Sequence, residues 1–318
     1  MTSLPCASVV EAGGIQEAQD VLADDPAIGE GLTCRWPSEV DPRGLVVFCH
    51  GLGSSGRGYR DLSRHWARCG YLVLQPTFSD AIGRVAAKEP ELGLDPQADL
   101  SGWLQMPAAR ARMFEILHAP EHWLERVATV GRVMDRLDAV LQATCGRQDR
   151  PLPGAVAGHS FGAYTAQLLA GAEIDLPDGR PNRFRDGRFG AAILLSAQGR
   201  DQQGLRDGSW DAMDGPVLTV TGTLDRGAKG GDWHWKSEPF DLAPPGGKYL
   251  AVLQDGDHHL GGFGDSGAYP QVATQQEAVR LLTTAFLDAH VTGVPAALGW
   301  LGAVEANVAG CPLLFRRK

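Results

Sequence analysis

The sequence has few cysteines and no long apolar run. Six cysteines are scattered over 318 residues without a C-x-x-C pair, which excludes a disulfide-dense scaffold and argues against a zinc knuckle or a redox motif. The sequence leaves open whether any of them are bridged. The longest weakly charged stretch, residues 290–304, is interrupted by three glycines and a proline and is too short for a membrane helix. We therefore expect no membrane span.

Positive charge is also scarce. Lys and Arg number 29 against 38 Asp and Glu, the net charge is −9, and no basic stripe is present, so no nucleic-acid partner is expected. A neutral or apolar substrate fits this balance better. The first fourteen residues lack the basic and apolar segments of a secretory signal, which leads us to expect a cytoplasmic chain, with a trimmed secreted protein as the alternative. The 43% hydrophobic and 21% charged content is typical of a folded domain with a core.

Apolar runs typical of buried strands alternate with helical patterns along the chain. Residues 44–49 form the first run, and a glycine-rich turn, an amphipathic helix at 59–69 and a strand at 71–75 follow. We predict further strands at 154–159, 191–196, 216–221 and 248–253, and helices at 123–143, 160–171 and 275–290. The alternation predicts an α/β fold with a doubly wound, mostly parallel sheet and helices on both faces.

No composition break divides the chain, so a single domain is expected over residues 1–318. Its core is predicted at about 44–290, with an N-terminal extension at 1–43 and a C-terminal tail at 291–318. Residues 79–121 are predicted to be a loop with one or two helices that cover a face of the sheet. Residues 173–190 are predicted to be a surface excursion.

The sharpest motif is Gly158-His-Ser-Phe-Gly162, placed between a predicted strand and a predicted helix. A turn this tight forces strained backbone on the central residue, and the flanking glycines avoid clashes that a Cβ would cause. The following helix directs its free N–H groups and the positive end of its dipole at an oxyanion. We therefore predict Ser160 as a nucleophile.

A nucleophilic serine needs a base and an acid that orients the base. In hydrolases with such an elbow the acid and then the histidine follow the serine along the chain, each after a strand. Asp225 follows the predicted strand at 216–221 and fits the acid. Two adjacent histidines follow the strand at 248–253, and neighbouring side chains on an extended turn point in opposite directions. We assign His258 as the base and keep His259 as the alternative.

An oxyanion hole of this type takes one N–H from the residue after the nucleophile and one from an earlier loop. Phe161 and Leu52 occupy these positions. Leu52 lies between two glycines in a loop without the lysine and threonine of a phosphate-binding loop.

Four segments together resemble the serine α/β-hydrolases, over about residues 44–290. Within them the chain is similar to the bacterial predicted dienelactone hydrolases, to platelet-activating-factor acetylhydrolases, and to the polyester-hydrolase and chlorophyllase group. The segments are HGLGSS, GHSFGAYTA, GTLDRG and GDHHLGG. The resemblance implies the α/β-hydrolase fold and the triad Ser160, Asp225 and His258. True dienelactone hydrolases carry cysteine at the elbow, so serine here favours ester hydrolysis.

The resulting hypothesis is a carboxylic ester hydrolase that needs no cofactor or metal and acts on a small-molecule or polymeric ester. A thioesterase, an amidase or a perhydrolase would use the same triad, and a non-catalytic binding protein could share the scaffold. The acyl and alcohol specificity, the physiological substrate and the oligomeric state stay open.

Three further groups of residues have both a functional and a structural interpretation. Trp103, Met106 and Phe114 could form an apolar lip over the serine or only cover the sheet. Residues 233–235 (Trp-His-Trp) could line a cleft or pack on the surface. A metal site is conceivable and has no recognised zinc spacing; its residues would be Asp232, His234, His258 and His259.

Overall fold

The computed structural model describes residues 14–29, 31–146, 151–263, 269–308 and 310–318. Within these ranges a nine-stranded sheet forms the centre, in the order β1-β2-β4-β3-β5-β8-β9-β10-β11. The strands are β1 (Ile15–Val21), β2 (Leu32–Pro37), β3 (Gly44–Cys49), β4 (Tyr71–Pro76), β5 (Gly154–His159), β8 (Phe189–Leu195), β9 (Val217–Gly222), β10 (Lys248–Leu253) and β11 (Leu313–Arg317). The six strands from β4 to β10 in this order pair in parallel, and the outer strands pair antiparallel. The predicted mostly parallel sheet is thus present.

Helices cover both faces of the sheet. The helices are α1 (Arg60–Arg68), α2 (Ile82–Lys88), α3 (Pro107–His118), α4 (Pro120–Asp135), α5 (Leu137–Ala143), α6 (Phe161–Leu169), α7 (Trp233–Leu242), α8 (Ala273–His290), α9 (Pro295–Leu301) and α10 (Val304–Asn307). Alternate residues of β3 enter different apolar clusters, because successive side chains of a strand point to opposite faces. Helices α4, α5 and α6 pack in the first cluster, whereas α1, α8 and α9 pack in the second.

The sheet extends beyond the predicted core at both ends. Strands β1 and β2 come from the predicted N-terminal extension, and β11 comes from the predicted C-terminal tail. All six residues of β2 are buried because the strand lies between β1 and β4. β1 and β11 are sheet edges with the sequences IQEAQDV and LLFRR. Most of their residues are partly or fully exposed, and neither strand is apolar over its whole length as a central strand is. These three strands lie outside the predicted core of about 44–290.

Two helical predictions also differ in detail. The helix predicted at 123–143 is divided at Arg136 into α4 and α5, although the apolar pattern continues across the break. The segment 79–121 contains α2, α3 and two 3₁₀ turns, Pro90–Leu92 and Trp103–Gln105, around a small apolar cluster of its own. The surface excursion contains a hairpin, β6 (Glu173–Asp175) with β7 (Pro181–Arg183).

The fold brings six loops to one edge of the sheet. Because the six central strands are parallel, the loops after β3, β4, β5, β8, β9 and β10 all leave from the same edge. The predicted functional residues lie in four of these loops. Within the described residues, no helix is both long enough and apolar enough to cross a bilayer.

Candidate active site

Ser160 occupies a strained turn between β5 and α6. Its backbone has φ 53° and ψ −118°, a conformation that residues other than glycine rarely adopt. A Cβ on Gly162 would lie 1.9 Å from the carbonyl oxygen of Cys49, and one on Gly158 would lie 2.2 Å from the carbonyl oxygen of Gly162. Both glycines are therefore required for helix and strand to approach this closely. The local structure predicted for the motif is present.

The three predicted triad residues come together in one hydrogen-bonded chain. His258 Nε2 lies 2.9 Å from Ser160 Oγ, and His258 Nδ1 lies 2.9 Å from Asp225 Oδ1. The other carboxylate oxygen accepts a hydrogen bond of 2.9 Å from the Thr221 hydroxyl. Since a carboxylate can only accept, Nδ1 carries the proton, which leaves Nε2 free to accept one from Ser160.

The Asp225 carboxylate is fully buried. Burial by itself raises the pKa of this group. Lys236, His258 and hydrogen bonds lower it by a larger amount, so the resulting pKa is well below the usual range. Asp225 is therefore an anion that holds the imidazole ring of His258 in one tautomer.

His259 takes a different position from His258. Its ring stacks on Tyr269 with centroids 3.4 Å apart, and its Nδ1 is buried without a hydrogen-bond partner in the described part of the chain. Burial, with a contribution from His258, lowers its pKa to about 3. Of the two candidate bases, the structure thus places His258 between the serine and the acid.

The two predicted oxyanion donors come from the start of α6 and from the loop after β3. Phe161 is the first residue of α6, where a backbone N–H has no acceptor within the helix. Leu52 lies in the loop after β3 and lines the same cavity as Ser160. The Gly51 N–H donates to Tyr59 Oη and the Gly53 carbonyl accepts from the Ile82 N–H. Neither of these loop bonds uses the Leu52 N–H.

A buried ion pair supports this loop from below. Arg126 on α4 donates two hydrogen bonds, of 3.0 and 2.7 Å, to the Asp80 carboxylate and a third of 2.8 Å to the His50 carbonyl. Its guanidinium also stacks between the rings of Phe78 and Phe161, at 4.3 and 4.1 Å from the centroids. One side chain therefore contacts both halves of the predicted oxyanion hole.

His159 connects three of the loops. The His258 carbonyl accepts a hydrogen bond of 2.7 Å from His159 Nε2, so Nδ1 accepts from the Tyr59 hydroxyl at 2.8 Å. Tyr59 Oη in turn accepts from the Gly51 N–H. Burial, followed by the neighbouring histidines, lowers the pKa of His159 well below its ordinary value, so the ring stays neutral. This chain links the oxyanion loop, the elbow and the histidine loop.

A cavity of about 920 Å³ opens over Ser160. One wall comes from the segment 79–121. Its apolar side chains include Trp103 and Phe114 of the predicted lip, and charged and polar side chains of the same segment line it as well. Met106, the third predicted residue, is 37% exposed and is not part of this wall. Of residues 233–235, which the sequence suggested as a cleft wall, only Trp235 lines the cavity.

The residues considered for a metal site do not form one cluster. Asp232 caps α7 and hydrogen-bonds the His234 ring on the surface, whereas His258 and His259 flank Ser160. Within the described ranges no three His, Cys, Asp or Glu side chains come together as a ligand set.

Two residues of the site escaped the sequence analysis. Ser196 Oγ lies 2.8 Å from His258 Nδ1 and also hydrogen-bonds the Asp225 side chain. It directly follows β8, so a polar residue at the carboxyl end of a predicted strand was the available signal. Lys236 Nζ lies 3.9 Å from Asp225 Oδ1. A lysine in a helix normally indicates an exposed position, and no sequence signal marks this one.

Comparison with known proteins adds no assignment to this geometry. The sequence matches no protein-family model and no curated protein sequence. The functional conclusion therefore depends on the site itself.

Proposed function

We propose that the protein is a serine hydrolase of the α/β-hydrolase type that cleaves carboxylic esters through an acyl-enzyme. The observation that carries this proposal is the hydrogen-bonded chain from Ser160 through His258 to Asp225, built on a strained strand-to-helix turn. A glycine-rich turn with only a structural role does not require a neutral imidazole and a buried carboxylate in line with the serine hydroxyl. Such a chain supplies the base and the orienting acid that acyl transfer requires.

The first half-reaction forms the acyl-enzyme. Ser160 Oγ attacks the ester carbonyl carbon as its proton passes to His258 Nε2, and the carbonyl oxygen becomes an anion that the Leu52 and Phe161 N–H groups stabilise. Collapse of this intermediate breaks the bond to the alcohol oxygen, which takes the proton from His258. In the second half-reaction water attacks the acyl carbon as its proton passes to His258 Nε2. Collapse of this intermediate breaks the bond to Ser160 Oγ, which takes the proton back from His258 as the carboxylic acid leaves. Protons balance, and no cofactor takes part.

The cavity supports a small-molecule ester as substrate. Its volume of about 920 Å³ lies within the usual size of small-molecule sites. The wall formed by Trp103, Phe114 and their neighbours favours an apolar acyl or alcohol group.

The test measures turnover and covalent labelling together. We expect hydrolysis of one or more p-nitrophenyl esters in a series from acetate to palmitate, and the mass of one fluorophosphonate adduct on the intact protein. Ser160→Ala should lose the adduct and nearly all turnover. Ser101→Ala, which removes another hydroxyl from the cavity lining, should keep both. A Ser160→Ala protein that gains the adduct at the wild-type rate would refute the assignment of the nucleophile.

A further inference from the structure

Lys236 is buried beside the acid of the triad. Its side chain is 2% exposed, and its Nζ lies 3.9 Å from Asp225 Oδ1 and donates a hydrogen bond of 3.3 Å to the Ser196 carbonyl. Lysine is almost never this buried without a charged partner. Within the described residues, no other lysine or arginine side chain lies within 4.0 Å of the Asp225 carboxylate.

The helix that carries this lysine is fixed in place. Asp232 accepts hydrogen bonds from the first N–H groups of α7, and Trp235 Nε1 donates to the Arg200 carbonyl at 2.8 Å. A Cβ on Gly231 would lie 2.7 Å from the Trp235 ring, so the ring packs directly on that backbone. These contacts fix the backbone of α7 on both sides of Lys236, whose ammonium lies 3.9 Å from Asp225 Oδ1.

The charge count of the cluster changes during the proposed reaction. With Asp225 ionised, Lys236 protonated and His258 neutral, the three groups sum to zero, and protonation of His258 brings the sum to +1. Without the lysine charge the same step would run from −1 to zero, which stabilises the imidazolium more strongly. Both Lys236 Nζ and His258 Nδ1 lie within 4 Å of the same carboxylate oxygen, so they are close enough for this charge to be felt.

We propose that Lys236 is a positioning residue that sets the basicity of His258. Its fixed charge offsets part of the field of Asp225, so that His258 stays neutral and able to accept the Ser160 proton at a lower pH. The inference rests on the proposed serine hydrolase function and adds a residue outside the triad to it.

The other titratable or charged groups near His258 differ from Lys236 in charge or in position. His159 and His259 contact its ring, and burial lowers the pKa of both, so they stay neutral. Arg226 is exposed and donates to the Asp225 carbonyl rather than to its carboxylate. Burial lowers the pKa of Lys236 itself, and the Asp225 carboxylate offsets part of this decrease. Lys236 is thus the buried cation that acts on this pair.

The experiment follows the rate of fluorophosphonate labelling of Ser160 against pH, which needs no knowledge of the natural ester. Lys236→Met removes the charge and keeps the length of the side chain. We expect the pH at which labelling reaches half of its maximum to rise by about 1 unit in this variant, because the removed charge shares an oxygen of Asp225 with His258 and so lies at most about 7 Å from Nδ1. The pH dependence of kcat/KM on the best p-nitrophenyl ester should move by the same amount.

Two variants serve as controls. Lys248→Met removes another buried lysine, which bonds the Gly246 and Asp214 carbonyls at the far end of β10, and should leave the pH dependence unchanged. Lys236→Arg keeps the charge and should keep the wild-type midpoint. If Lys236→Met does not fold, Lys236→Gln replaces it, because it also lacks the charge.

The outcomes separate the two proposals. A folded, charge-free variant with the wild-type midpoint overturns the role of Lys236, and so does a Lys236→Arg midpoint that moves as far as that of Lys236→Met. A wild-type protein that neither labels nor hydrolyses esters overturns the proposed function instead. If the midpoint rises in the charge-free variant and in neither control, the result supports both the role of Lys236 and the proposed function.

Discussion

Removal of Arg126 should destabilise the protein strongly, although it is not a triad residue. Arg126 and Asp80 are both buried, and two hydrogen bonds join them. Burial by itself raises the pKa of Asp80. Arg126 and His50 lower it by a larger amount, to below its ordinary value, so the carboxylate is charged. Arg126→Leu would leave this charge without its cation.

The size of the effect follows from the contacts that are lost. Breaking a buried ion pair by removing one partner costs about 3 to 5 kcal/mol, because the remaining charge is buried and uncompensated. With a urea slope of about 3 kcal/mol per M, the unfolding midpoint should fall by about 1 to 2 M. Removing both charges in Asp80→Leu/Arg126→Leu should cost less than the sum of the single variants, since no unpaired charge remains.

The assay is urea unfolding followed by tryptophan fluorescence and far-UV circular dichroism. The matched control is Arg188→Leu, which breaks exposed bridges to Asp135 and Asp186 and should cost less than about 1 kcal/mol. The reasoning fails if Arg126→Leu loses no more stability than this control. It also fails if the double variant loses the full sum of the single effects.

Two further predictions concern the histidines. His258→Ala should lower kcat by at least about 10³-fold, as expected for a triad base, whereas His259→Ala should retain most turnover, and the reverse result would exchange their roles. Burial lowers the pKa of six histidines in the folded state, to about 3 for His50 and His259, to about 4 for His65, well below 6.5 for His159, and below 6.5 for His118 and His290. The unfolded chain therefore binds more protons below about pH 6.5, and stability should fall by about 1.4 kcal/mol per pH unit for each histidine that stays neutral, down to about pH 4. Urea midpoints that do not change between pH 7 and pH 5 would contradict this.

The sequence predicts the central strands well because each is a continuous apolar run. The predicted first and last residues of β3, β5 and β10 are the same as those in the structure. Strands β1 and β11 could not be found in this way, since their side chains are partly exposed and polar residues are tolerated at a sheet edge. Their place depends on pairing with β2 and β10, which no local pattern encodes.

The residues of the candidate site also fall into two groups, those that a local sequence pattern reveals and those that only the folded structure shows. Ser160, Asp225 and His258 could be proposed from the sequence because each follows a recognisable strand in a fixed order. The choice between the two histidines needed the structure, because adjacent residues share one local pattern. The roles of Ser196 and Arg126 depend on contacts with residues 62 and 46 positions away along the chain, and only the packed fold shows them.

The two buried ion pairs of the site explain how its loops are kept in register. One pair, Arg126 with Asp80, lies beneath the predicted oxyanion loop, and the other, Lys236 with Asp225, lies beneath the histidine. A buried charge that loses its partner is costly, so each pair fixes the distance between the two segments that carry it. Electrostatic catalysis requires donors and charges that are already in place before the oxyanion forms, since their reorganisation would consume the energy gained. The pairs supply this rigidity at the edge of the sheet, where loops alone would be mobile.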